Sequence, residues 1–263
     1  LKANETVLVC QLWVGEYEAY IKLIEDAIVR LESLVWDEAK ADRPQIMSET
    51  EMTPYTKWVS QVSEIQDNIE SGKVQKLVLS KQVELQLCDE INPYVLLSYI
   101  QERDTDTTLF CMKMPGPYVV MGGTPEHLYR RDNRSIYTEA IAGTRPRGRD
   151  LIEDKQLESE LMCSQKDRDE HQLVLNFIHD QLQLLCDTIE SGQEVSVLKL
   201  SKLQHLIHQF SGALLPEVTD DDILSRLHPT PAVSGYPIAP ALKMIKQIEQ
   251  VDRGMYAGPV GWV

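Results

Sequence analysis

Apolar residues recur along this chain with two different periods, and the changes between them mark out its elements. From 17 to 35, Tyr17, Tyr20, Ile21, Ile24, Ile28, Leu31 and Val35 return at mostly three- and four-residue intervals, which predicts an amphipathic helix. A second helix is predicted over about 54–71. There Trp58, Val62, Ile65 and Ile69 share a face, Thr53 suits the N-cap, Pro54 the first helical position, and Ser71-Gly72 the stop. The period then drops to two. Leu77, Leu79, Val83, Leu85 and Leu87 alternate with Ser80, Gln82, Glu84 and Gln86, broken only by Lys81, so one half-buried strand is predicted with Lys76 at its entry. Asn92-Pro93 opens a short helix to about Gln101, Pro115-Gly116-Pro117 joins strands at about 107–113 and 118–123, and Asp132-Asn133 marks another hairpin. The longest helix is predicted over 167–190, with Val174, Ile178, Leu182, Leu185 and Ile189 on one stripe. Strands are expected near 195–200 and 256–263, and Leu242, Ile245 and Ile248 make 239–251 helical. Helices mixed with hairpins point to an α+β fold with antiparallel sheet.

Composition narrows the functions open to such a fold. A chain of 263 residues, 43% hydrophobic and 25% charged, has the makings of a sizeable core. No apolar run is long enough to span a bilayer, and the first residues lack the order of a signal peptide, so the expected location is cytoplasmic. A formal charge of −15 argues against nucleic acid and anionic lipid as partners. The five cysteines, Cys10, Cys88, Cys111, Cys163 and Cys186, show neither a C-x-x-C pair nor zinc-site spacing. Proteins, metal ions and small molecules remain as partners.

Three groups of residues carry candidate chemistry. Glu170 lies four residues before Val174 and extends the core-facing stripe of the long helix, and Asp167 lies three residues before Glu170 on the same side. Core-facing carboxylates are costly unless protonated, paired or neutralised by a cation, and oxygen-only ligands favour a hard cation such as magnesium. Equally, two acids in a first helical turn suit the helix dipole with no metal at all. Ala142-Gly143-Thr144-Arg145-Pro146-Arg147-Gly148 breaks a strand into a turn whose N–H groups and guanidinium groups suit a carboxylate or phosphate, or else form a basic surface loop. Lys76 and Glu126 each sit at the edge of a predicted strand, where a lone charge is ordinarily solvated.

Six segments together resemble the chorismate-utilising enzymes: isochorismate synthases, salicylate synthases, and the first components of anthranilate and aminodeoxychorismate synthase. They are Lys76-Leu77-Val78-Leu79-Ser80, Gly123-Thr124-Pro125-Glu126, the turn from Ala142 to Gly148, Lys166-Asp167-Arg168-Asp169-Glu170-His171, His228-Pro229-Thr230-Pro231-Ala232-Val233, and Asp252-Arg253-Gly254-Met255-Tyr256-Ala257-Gly258. The resemblance implies layered antiparallel β-sheets with helices packed outside, in one chorismate-binding catalytic domain over residues 1–263. It also implies that the chain is incomplete at both ends and lacks its C-terminal part.

Isochorismate synthase is the preferred member. In the enzymes it resembles, a lysine at the position of Lys76 is the general base that activates water for attack at C2 of chorismate. A glutamate at the position of Glu126 is the general acid that protonates the departing C4 hydroxyl. The resemblance further implies magnesium held by Glu170 with Asp167 in support, and a substrate pocket lined by Ala142, Gly143, Thr144, His205 and Tyr256. Anthranilate synthases usually carry glutamine in place of Lys76. Ala142 stands where aminodeoxychorismate synthases keep a nucleophilic lysine. Salicylate synthase, anthranilate synthase component I and a non-catalytic chorismate-binding chain stay open as alternatives, as do a menaquinone or siderophore destination for the product and the oligomeric state. A lysine base must be neutral to act, so burial or nearby positive charge is expected around Lys76, and the opposite adjustment around Glu126.

Overall fold

The chain divides into two units, residues 1–42 and 43–263. The computed structural model describes residues 44–103, 106–192 and 194–262, so the helix expected over 17–35 lies outside the described residues. In order, the elements are β1 (Ile46–Glu51), α1 (Tyr55–Glu70), β2 (Lys76–Leu77), β3 (Val83–Leu87), α2 (Pro93–Arg103), β4 (Thr108–Lys113), β5 (Val119–Thr124), β6 (Arg130–Asp132), β7 (Ser135–Pro146), α3 (Leu151–Cys163), α4 (Gln165–Leu185), β8 (Cys186–Ser191), β9 (Ser196–Lys199), β10 (Leu203–Leu214), α5 (Asp220–Leu227), β11 (Gly235–Tyr236) and α6 (Ile238–Glu249).

The central sheet runs β6-β7-β10-β8, with β9 also on β10, and its pairings are antiparallel. Its spine is the long pair β7 and β10. On β7, Ile136, Thr138, Ala140 and Ala142 alternate inward and are buried. Against them lies the predicted stripe of α4, where Val174, Ile178, Leu182 and Leu185 are all at most 1% exposed. Phe210 and Leu214 of β10 and Ile223 and Leu227 of α5 close the same cluster. The small Ala140 and Ala142 allow the helix to approach the sheet closely, and larger side chains there would overpack this layer.

The α+β class and the antiparallel pairing agree with the sequence, while several boundaries do not. The predicted strand over 77–87 is two strands in different sheets: β2 pairs with β11, β3 with β1, and 78–82 between them is irregular. Helix α4 stops at Leu185 instead of reaching 190, and Ile189 pairs with Gly212 in β8. The helical spacing from Leu185 to Ile189 is real, but pairing with β10 overrides it. Thr53 is buried and does not cap α1; Pro54 takes that position without a side-chain bond. Residues 256–262 form no strand.

Asp154 ties three elements together. It accepts from Arg147 Nε at 2.7 Å, from Arg147 Nη2 at 3.1 Å, from the Gly148 N–H at 3.0 Å and from Lys199 Nζ at 2.9 Å. Led by the Arg147 bonds, these donors hold its carboxyl well below the usual carboxylate range. A group shifted this way stabilises the fold above its unfolded pKa of about 3.9, and that contribution fades as pH falls below it. Asp154→Asn is therefore expected to lower the melting temperature at pH 7, by a margin that shrinks in acid. Thermal melts of both proteins across pH check this.

Candidate active site

Lys76 stands in two-residue strand β2, where its backbone partner is Tyr236 of β11. The contact is close enough to demand glycine next door. Gly235 has φ +145°, and a Cβ there would lie 2.4 Å from the Lys76 carbonyl oxygen and 2.9 Å from Leu77 Cα. Gly235→Ala is expected to destabilise the protein by about 1–3 kcal/mol or more and to shift β2. Denaturant unfolding measures the first effect.

The Lys76 ammonium, only 11% exposed, reaches Glu170 Oε1 on α4 at 3.0 Å. Burial around Lys76 matches expectation, but its close partner is a carboxylate instead of a cation. Glu126, on the turn after β5, lies within electrostatic reach of the same lysine. Burial first, and then the negative charge of Glu139, push the Glu126 carboxyl up to about 7, with Lys76 pulling the other way. Thus β2, α4 and the β5 turn, separated by up to 94 positions along the chain, bring Lys76 against Glu170 and place Glu126 within electrostatic reach of Lys76.

A second group gathers at the end of β7. The β7–β10 register slips between His205 and Leu206, so that His205 faces Thr144 while Leu206 faces Ala142, and Gly143 is the extra residue of a bulge at φ +72°. A Cβ at Gly143 would stand 3.1 Å from that of Asp167 and 3.4 Å from Leu161. His205 Nδ1 is 3.1 Å from both Thr144 Oγ1 and the Gly143 carbonyl oxygen. Ala142 is set apart, since its side chain belongs to the buried core. Tyr256 is 64% exposed, in a turn beneath the Arg253 guanidinium 5.9 Å from its ring centre.

The two arginines of the Ala142–Gly148 turn are engaged internally. Arg145 Nη2 lies 2.7 Å from Asp167 Oδ2, and Arg147 is bound to Asp154. Burial raises the Asp167 carboxyl, yet bonds from Ser164 and Arg145 outweigh it and leave it below its ordinary value. For magnesium, Glu170 is the more accessible carboxylate, 33% exposed against 7% for Asp167, although Lys76 already pairs with it. Among the described residues no three His, Cys, Asp or Glu side chains are grouped to hold a metal ion. A hard octahedral cation commonly takes one or two carboxylates and fills its shell with water and substrate oxygens, so Glu170 fits as one ligand of a partial set. Asp167 is balanced by Arg145.

The sequence reading passed over Glu139 and His127. Glu139 Oε1 accepts the His127 main-chain N–H at 2.9 Å and lies 3.0 Å from its ring Nδ1. Its one visible signal was an acid on the outward parity of the strand leading into the Ala142–Gly148 turn.

A model described as "Chorismate binding enzyme" matches residues 1–263. The chain belongs to the chorismate-binding enzyme family. It is 40% identical over 187 residues to isochorismate synthase 2, chloroplastic, of Arabidopsis thaliana, covering 71% of this chain and 33% of that protein. It is 35% identical over 206 residues to the salicylate biosynthesis isochorismate synthase of Pseudomonas aeruginosa, covering 78% of this chain and 43% of that one. The menaquinone-specific isochorismate synthase from Escherichia coli has a similar solved structure, with a TM-score of 0.79 and 26% identity over 88% of this chain and 53% of that chain. The chain thus spans between a third and about half of the length of these family members.

Proposed function

We propose that the protein containing this chain is an isochorismate synthase. The observation that carries the reading is the convergence of Lys76 and Glu126, one a buried amine and the other a carboxyl pushed up to about 7, in one cluster. In this reading Lys76 takes a proton from water as the water oxygen bonds to C2 of chorismate. The ring double bonds shift, the C4–oxygen bond breaks, and Glu126 gives its proton to the departing hydroxyl. One water enters and one leaves, and passage of the proton from Lys76 back to Glu126 restores both groups. A carboxyl at about 7 is poised for this role at neutral pH, because a general acid works best near the operating pH.

Gly143, Thr144 and His205 form the wall against which the substrate would lie, with the His205 ring fixed by its two oxygen neighbours. Ala142 would shape that wall through its backbone, and Tyr256 would stand at the outer edge of the pocket. Magnesium on Glu170 would supply positive charge for a substrate carboxylate. A cytoplasmic setting and a menaquinone or siderophore destination belong to the same proposal. Relatives named as isochorismate synthases at 35–40% identity support the choice within the family.

Incubating the natural full-length protein with chorismate and magnesium, and separating the products by chromatography, tests this reading. Isochorismate as the product supports it. Salicylate or anthranilate as the first product, or no turnover, overturns it.

A further inference from the structure

Glu126 depends on a neighbouring residue for its place. It sits on the turn that follows β5, where its main-chain N–H donates to Thr124 Oγ1 at 3.2 Å. The turn is also held by β7, a strand of the separate central sheet. Glu139 is on the outer face of β7, where its side chain is 11% exposed, and its Oε1 meets both the main-chain N–H and the ring of His127, the residue after Glu126. His127 Nε2 in turn lies 3.3 Å from Thr108 Oγ1 on β4. A single carboxylate oxygen on a long, well-anchored strand therefore clamps the residue adjoining Glu126, with β4 bracing the other side of the imidazole.

We propose that Glu139 is a positioning residue for the reaction: by gripping His127 it fixes the turn that presents Glu126 toward Lys76. The inference rests on Glu126 acting as the general acid. The charged groups facing Glu126 are Lys76 from β2 and Glu139 from β7, with His127 beside it on its own turn and Glu170 of α4 across Lys76. The clamp also sets the electrostatics, since the negative charge of Glu139 favours the protonated form of Glu126.

Two variants separate the clamp from the charge. Glu139→Gln keeps an oxygen for both His127 contacts and removes the charge, whereas Glu139→Ala removes both. The probe is the side-chain carboxyl of Glu126, followed by 13C NMR titration in glutamate-labelled protein and assigned with Glu126→Gln. This readout needs no turnover, so it stands even if the protein proves not to be an isochorismate synthase. In Glu139→Gln the Glu126 midpoint is expected to move down toward the ordinary glutamate range, with its resonance remaining a single sharp line. In Glu139→Ala the midpoint is expected to fall and the line to broaden as the turn loosens. In active protein, the alkaline limb of the kcat/KM profile should shift the same way in Glu139→Gln, and kcat should fall with KM little changed in Glu139→Ala. A Glu126 line that stays as sharp in Glu139→Ala as in the unaltered protein, with kcat unchanged, overturns the proposal, and if that variant does not fold, Glu139→Asp, which keeps the charge but shortens the reach to His127, decides by the same line width and kcat.

Discussion

Replacing Lys76 with glutamine is expected to lower the turnover of chorismate by about two to four orders of magnitude, the range that a positioned general base contributes. Glutamine keeps a polar chain of similar reach in β2, so the backbone pairing with Tyr236 is retained. It cannot accept a proton from water. Glu170 loses its 3.0 Å partner, but at 33% side-chain exposure it can be rehydrated, so the melting temperature should change little. If the lysine acts only in the transition state, kcat and kcat/KM should fall by the same factor. Steady-state kinetics beside a thermal melt separate this from general damage. Turnover close to that of the unaltered protein would remove Lys76 from the reaction.

The second large effect is a pH dependence governed by Glu126. Its carboxyl is raised to about 7, first by burial and then by the Glu139 charge, against the pull of Lys76. As a general acid it is active when protonated. The competent fraction is therefore high below that value, about half at it, and falls about tenfold with each further pH unit. The kcat/KM profile should thus show an alkaline limb centred near pH 7. Glu126→Gln is expected to abolish this limb and leave turnover reduced by about two to four orders of magnitude. A limb that persists unchanged in Glu126→Gln would belong to another group.

Much of the helical framework was legible because its signal is local. In α4 the stripe Val174, Ile178, Leu182 and Leu185 is written at helical intervals and buried as read. The hairpin β4–β5 follows from the Pro115-Gly116-Pro117 turn. Strand β10 was not legible at all, although it is the centre of the sheet. Its apolar residues Leu203, Leu206, Ile207 and Phe210 fall at intervals of three, one and three, which imitates a helix. Pairing with β7, β8 and β9 makes it a strand, and adjacent Leu206 and Ile207 are both buried, so alternation is lost.

The segment 78–82 shows the same limit. Its backbone is claimed by distant partners: Val78 N–H donates to the Ser234 carbonyl, Arg253 donates to the Val78 carbonyl, and Ser80 N–H donates to Glu249. Such contacts cross more than 150 positions and leave no mark on local periodicity. In the site, the helix stripe marked Glu170 and strand edges marked Lys76 and Glu126, motif resemblance supplied their roles, and their proximity had to come from the fold. Arg145 and Arg147 resembled an anion-binding turn, but Asp167 and Asp154 neutralise them, and neither acid is near them in the pattern that suggested the turn.

The most direct test of the proposed chemistry is the source of the oxygen at C2. The natural full-length protein is run with chorismate and magnesium in water enriched in 18O, and the isochorismate is analysed by mass spectrometry with fragmentation. One heavy oxygen at C2 is the expected result, because Lys76 is assigned to activate solvent water while Glu126 releases the original C4 hydroxyl. Isochorismate with no heavy oxygen would mean that the hydroxyl moved within the substrate, and would contradict the assigned roles of both residues.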